Sequence, residues 1–77
     1  MKIYIEVVCK HTADGKVLPL EVVWGNGKHY KIDRVIDARK CASLKGGGVG
    51  VRYACQIMGQ KKFLFLDGYR WYVESGD

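Results

Sequence analysis

From Ala38 to Leu66 the chain has no acidic side chain, although Arg39, Lys40, Lys45, Arg52, Lys61 and Lys62 all fall within that stretch. At its centre stands SLKGGGVGVRY, Ser43 to Tyr53. A one-signed segment around a glycine cluster points to a surface that meets something anionic. Proline is nearly missing as well, with Pro19 the single example. A collagen-like or proline-rich linker is thereby excluded. No apolar run approaches the roughly 20 residues needed to cross a bilayer, so no membrane partner is expected. Cysteine is sparse and odd in number, with Cys9, Cys41 and Cys55. Together with an N-terminus that alternates instead of forming a continuous apolar block, this argues against a secreted disulfide scaffold and for a reducing cytoplasm.

What remains is 77 residues with 48% hydrophobic content, two Trp, five Tyr and two Phe. That is enough for one domain with one core, close to the lower limit for folding unaided. Thirteen Lys+Arg against eight Asp+Glu give a net charge of +5, below the charge density of a protein that coats DNA.

Nearly every segment has a period of two, the mark of strands with one wet face. Ile3, Ile5, Val7 and Cys9 alternate with polar residues; Leu18, Leu20, Val22 and Trp24 form one face of the next run. Tyr30, Ile32, Ile36 and Ala38 share a face in Lys28–Lys40, and Val49, Val51, Tyr53, Cys55 and Ile57 do so in the run to Met58. Phe63–Leu66 is apolar on both sides, and Tyr69, Trp71 and Val73 close the series. Asp14-Gly15, Gly25-Asn26-Gly27, Gly59-Gln60 and Asp67-Gly68 punctuate the runs as turns. The expectation is an all-β, six-stranded antiparallel meander curled into a small barrel over residues 1–77. Pro19 belongs on an edge or at a bulge, and a bulge near Arg34 and Val35 would bend a long strand. A single helical turn near Lys40–Leu44 is the one alternative to strand.

The runs PLEVVWGNGKHYKIDRV, ASLKGGGVGVRYAC and GYRWYVE resemble a small protein family of Firmicutes. Its pattern is W-x-x-G-x-x-Y-x-I-D, then SLK-G-G followed by R-Y, then W-[FY]-V-E. The resemblance extends from Met1 to Glu74 and implies a bacterial, SH3-like small β-barrel. It implies no activity.

Chemistry-bearing constellations are thin. Gly46, Gly47 and Gly48 beside Lys45 can form an anion nest, but Lys45 precedes the glycines and a strand follows, so the P-loop order fails. The alternative is plain loop geometry. Cys9 and His11 form the only close pair among potential metal ligands, which also include His29, Cys41 and Cys55, and the second pair of a structural zinc site is missing. Cys41 beside Lys40 has no histidine placed by sequence to act as its base. Asp33 and Asp37 would stand about 13 Å apart along a strand, too far to share a proton, and are expected to pair with Arg34, Arg39 or lysines. No cofactor, metal or enzymatic activity is expected.

Two binding readings are left. The first is protein interaction or self-association as a homodimer, with Tyr4, Val8, Val17, Val23 and Tyr72 as an apolar excess on outward faces. The second is RNA or single-stranded DNA, held by Lys45, the three glycines, Arg52, Arg70 and Tyr72, provided that the polar faces of their strands adjoin.

Overall fold

The computed structural model describes residues 1–42 and 49–74. These residues form seven strands and no helix. They are β1 (Lys2–His11), β2 (Val17–Val23), β3 (His29–Lys31), β4 (Arg34–Ala42), β5 (Val49–Ile57), β6 (Gln60–Asp67) and β7 (Arg70–Glu74). One antiparallel sheet takes them in the order β3-β2-β1-β7-β6-β5-β4.

The two edge strands are consecutive in sequence, so the chain passes from one edge of the sheet to the other through Ile32 and Asp33 alone. Ile32 donates its N–H to the Leu20 carbonyl at 2.9 Å, and Asp33 donates to the Gln56 carbonyl at 2.8 Å. A two-residue link can join opposite edges only if the sheet is curled. The result is an antiparallel half-barrel, in keeping with the small-barrel expectation.

The strand count is seven instead of six because the predicted Lys28–Lys40 run is broken. Ile32 is buried and Val35 packs toward the same core, so three positions separate two inward residues where strict alternation allows two. A bulge then follows: Val35 opposes Cys55, Asp37 opposes Ala54, and Ile36 is left over. The expected bend therefore lies where the alternation fails. Lys40, Cys41 and Ala42 continue as strand, against the expected helical turn; Ser43 and Leu44 lie outside the described residues.

Pro19 also sits beside a bulge. Val8 opposes Glu21 while Cys9 opposes Pro19, so Leu20 is the extra residue. That irregularity reverses the phase of β2. Val17 and Pro19 face inward and Leu20 is exposed, where uniform alternation would have put Leu18 and Leu20 inside.

The core on the concave side comprises Val22, Ile32, Tyr53, Cys55, Leu64 and Trp71, flanked by Ile5, Val7, Val35, Val51 and Leu66. The hairpins are set by backbone requirements. Met58 and Gly59 have φ of 52° and 77°, the two-residue I′ pattern that matches sheet twist. Placing that turn at Met58-Gly59 lets β6 start at Gln60, three residues before the apolar run that marks it in sequence.

Candidate functional site

Arg52, Arg70, Tyr72 and Tyr4 all point to the convex side, but Tyr72 is buried at 6% exposure, so it is not the exposed ring that its polar-face position suggests. Lys45, Gly46, Gly47 and Gly48 lie outside the described residues. Val8 is exposed on the convex face and Val23 is half-buried there, opposite Glu6. Val17 does not belong with them. The Leu20 bulge turns it toward the core, where its carbonyl accepts the Tyr53 hydroxyl at 2.6 Å.

Strand register settles whether the polar faces adjoin. Tyr4 pairs with Tyr72, Tyr72 with Phe65, Phe65 with Arg52 and Arg52 with Arg39. These five residues make one transverse row across five neighbouring strands, because directly opposed residues point to the same side of a sheet. Phe65 stacks on Tyr72 with centroids 4.9 Å apart, and Tyr4 meets Tyr72 edge-on at 5.8 Å.

Cations lie on the rings. Arg70 is 3.7 Å from the Tyr4 centroid, Lys2 is 4.6 Å from that of Tyr72, and Arg52 and Lys61 are 4.8 and 5.4 Å from that of Phe63. Across the register Lys2 faces Glu74 and Arg70 faces Asp67, while Arg52 faces Phe65 and Arg39 and Lys61 faces Gln56. Two acids of this face are already engaged, Asp37 with Arg39 at 3.6 Å and Glu74 with the N-terminal ammonium at 3.4 Å. Burial of the Tyr72 phenol, with the Cys41 thiol and nearby carboxylates behind it, pushes its pKa up and keeps the ring neutral.

The concave side is open at one end. There Val22, Trp24, Tyr30, Ile57, Leu64 and Val73 line a groove of about 870 Å³, with Ile3 and Met58 at its mouth. Lys61 and Lys62 contribute to its wall. Ile3, Trp24 and Met58 remain exposed there, Met58 at 74%. Nothing in the sequence signals this groove: Trp24 and Ile3 read as ordinary inward residues, and only the incomplete closure of the barrel leaves them uncovered. A much smaller cavity of about 170 Å³ at the other rim is lined by Cys9, His11 and Tyr69, among others. Cys9 and His11 thus share a face, as two positions of one strand should.

Remaining polar groups satisfy one another locally. His29 Nδ1 contacts the Glu21 carboxylate on the neighbouring strand, and Arg34 Nε donates to Gln56 at 3.1 Å. Of the carboxylates expected to pair with arginines, Asp37 does so. All three cysteines are free; Cys55 is fully buried, and burial pushes its thiol up to about 11. Among the described residues, no three His, Cys, Asp or Glu side chains are grouped so as to hold a metal ion.

Both edges of the sheet are blunted. β3 is three residues long. β4 carries the Ile36 bulge, and its Lys40 stands opposite Val51, on the side that β5 turns inward. Bulges and inward-pointing charges discourage edge-to-edge pairing. No protein-family model, curated protein or solved structure matches the chain.

Proposed function

We propose that this chain is a protein-binding module, and that its groove takes an extended apolar segment carrying acidic residues at one flank. The observation that supports this most directly is Met58. It sits in the left-handed region at φ 52°, 74% exposed, at the mouth of the groove. A left-handed conformation costs a side-chain-bearing L-residue about 1–2 kcal/mol, and glycine or asparagine would hold the same turn with less strain. An exposed methionine in that position is unfavourable for stability on two counts. It is intelligible if the thioether touches a partner, because methionine adapts to irregular apolar surfaces.

The groove itself is concave, chiefly apolar and edged by an indole and a phenol, which suits an anchor side chain. Lys61 and Lys62 give the wall positive charge, while Glu74 is occupied by the N-terminal ammonium. An acidic flank on the ligand is the complementary choice. The blunted edges speak against self-association by strand pairing, so a second copy would meet a face of the sheet, and the groove is the concave one. Three free thiols accord with a reducing, cytoplasmic setting, and among the described residues no helix is long and apolar enough to cross a membrane.

Selection of a displayed random-peptide library on the wild-type chain, with counter-selection on Trp24→Ala, tests the proposal. Enriched peptides should carry one or two bulky apolar anchors next to Asp or Glu. Enrichment that survives Trp24→Ala, or an absence of enrichment, overturns it. Light scattering on the purified chain covers the homodimer: a dimer abolished by Met58→Lys would put a second copy in the groove.

A further inference from the structure

We infer that the convex face is a second binding surface, bordering the groove at Lys61, Phe63 and Phe65, and that its ligand is single-stranded nucleic acid. The inference does not rest on the groove.

Three features of the face lead there. The first is the identity of the cations' companions. Lys2, Arg52, Lys61 and Arg70 rest on aromatic rings; Glu74 stands opposite Lys2 and Asp67 opposite Arg70, whereas Arg52 faces Phe65 and Arg39 and Lys61 faces Gln56. Moreover, Lys2 Nζ and Arg52 Nε are shielded from solvent without any hydrogen-bond acceptor among the described residues. Ring faces stabilise a cation by cation–π attraction but accept little from its N–H groups. The rings position this charge, and at Arg52 and Lys61 no directly opposed carboxylate compensates it, which suits a surface that meets an anion.

The second feature is flatness and polarity combined. Tyr4 and Phe63 are each 40% exposed and lie beside Arg70 and Arg52 respectively. Bases stack on aromatic rings and on guanidinium planes alike. At 3.7 Å the Arg70 guanidinium already covers the Tyr4 ring, so a base can continue that stack or take the guanidinium's place. A protein anion such as a glutamate-rich segment would neutralise the charges but has no use for the planes.

The third is linear extent. The row from Tyr4 through Tyr72, Phe65 and Arg52 to Arg39 crosses five strands, with Tyr72 itself buried and Tyr4 and the neighbouring Phe63 the rings most open to a base. At about 4.8 Å per strand this spans close to 20 Å, the length of several stacked nucleotides. Sheets that bind single strands combine such stacking platforms with a track of positive charge. The acid-free run from Ala38 to Leu66 contributes three elements to this face: Arg39, Arg52 and the Lys61-to-Phe65 segment.

Fluorescence anisotropy with a labelled oligouridylate and the matching oligothymidylate tests the inference, with duplex RNA and heparin as competitors. Affinity should fall as salt rises, and Arg52→Ala should flatten the log–log slope by about 0.7, the share of one phosphate contact on a single strand. Tyr4→Ala should weaken binding by about tenfold. Arg70→Lys keeps the charge and the fold while removing the planar group, and should weaken binding as well. Trp24→Ala, in the groove, should leave it unchanged, so failure of one surface is separable from failure of the other. Undetectable binding at low salt overturns the inference. So does heparin competing as well as the oligonucleotide when Tyr4→Ala and Arg70→Lys bind like wild type, since that result describes a generic polyanion surface.

Discussion

The hydroxyl of Tyr53 donates a 2.6 Å hydrogen bond to the carbonyl of Val17, 36 positions earlier in the chain. Tyr53 lies on β5 and Val17 on β2, each next to an edge of the sheet, so the bond spans the concavity and holds the curl. It exists because the Leu20 bulge turns Val17 inward. Burial raises the Tyr53 pKa and keeps the phenol a donor. Tyr53→Phe preserves the ring and its 5.2 Å contact with Trp71 but leaves a carbonyl without its donor. The loss should be about 1–2 kcal/mol. Thermal unfolding followed by circular dichroism should show a midpoint roughly 5–10 °C lower. An unchanged midpoint would mean that the curl is held by packing alone.

Gly50 is needed for a different reason from the glycines of the turns. A Cβ on it would stand 2.8 Å from the Leu66 carbonyl oxygen, a backbone atom of β6 that cannot swing aside. The β5–β6 ladder would have to open locally. Gly50→Ala should therefore destabilise by about 1–3 kcal/mol, measured by urea denaturation, despite alanine's ordinary tolerance in strands. Gly27→Ala, where φ is 83° but no atom lies near the added Cβ, separates strain from crowding.

These residues also show which parts of the fold are legible in sequence. Period-two alternation locates β1, β5 and β7 because each keeps one phase along its length. It misplaces the faces of Leu18 and Leu20, since a bulge adds a residue without altering composition, and Pro19 is the only sign of it. The break at Ile32 and Asp33 is visible as a lapse of alternation two residues later, but not as a passage between opposite edges, which is a property of the closed curve. The convex row follows in part from reading Tyr4, Arg52, Arg70 and Tyr72 on polar faces. That those faces adjoin requires the strand order, because Phe65 and Tyr72 come from strands whose neighbours are set by the meander. The glycine cluster at 46–48, the most conspicuous motif, lies outside the described residues.

Alkaline pH should weaken the fold through Cys55. Its thiol is fully buried and its pKa is raised from 9.0 to about 11 by desolvation. In the unfolded chain the thiol ionises near its ordinary value, so the unfolded state loses its proton first as pH rises. The stabilisation from burying the neutral thiol is complete below pH 9 and is lost as pH climbs toward 11. Tyr53 and Tyr72, both raised by burial, extend the decline above pH 10. Cys55→Ala should be less stable at neutral pH because it leaves a small cavity. Its unfolding midpoint should nevertheless vary less between pH 8.5 and pH 10 than that of the wild type. The scale is about 1.4 kcal/mol for each tenfold difference between the thiol's acidity in the unfolded and folded chains. Parallel curves would mean that the thiol does not titrate late.

Met58 sets stability against recognition, and Met58→Asn measures both. Asparagine accepts the left-handed conformation at φ 52° through local hydrogen bonding, and Asn-Gly is the preferred pair for a two-residue I′ turn. The variant should stabilise the fold by about 1 kcal/mol, and the hairpin register from Ile57 to Gln60 should be retained. The same change removes an exposed thioether from the mouth of the groove. Peptides selected on the wild type should bind the variant several-fold more weakly, as expected for the loss of one apolar contact worth about 1 kcal/mol. Oligonucleotide binding on the convex face should not change. A variant that is more stable and binds peptides as tightly as the wild type would remove the reason for methionine at this turn, and with it the main support for the groove as a docking site.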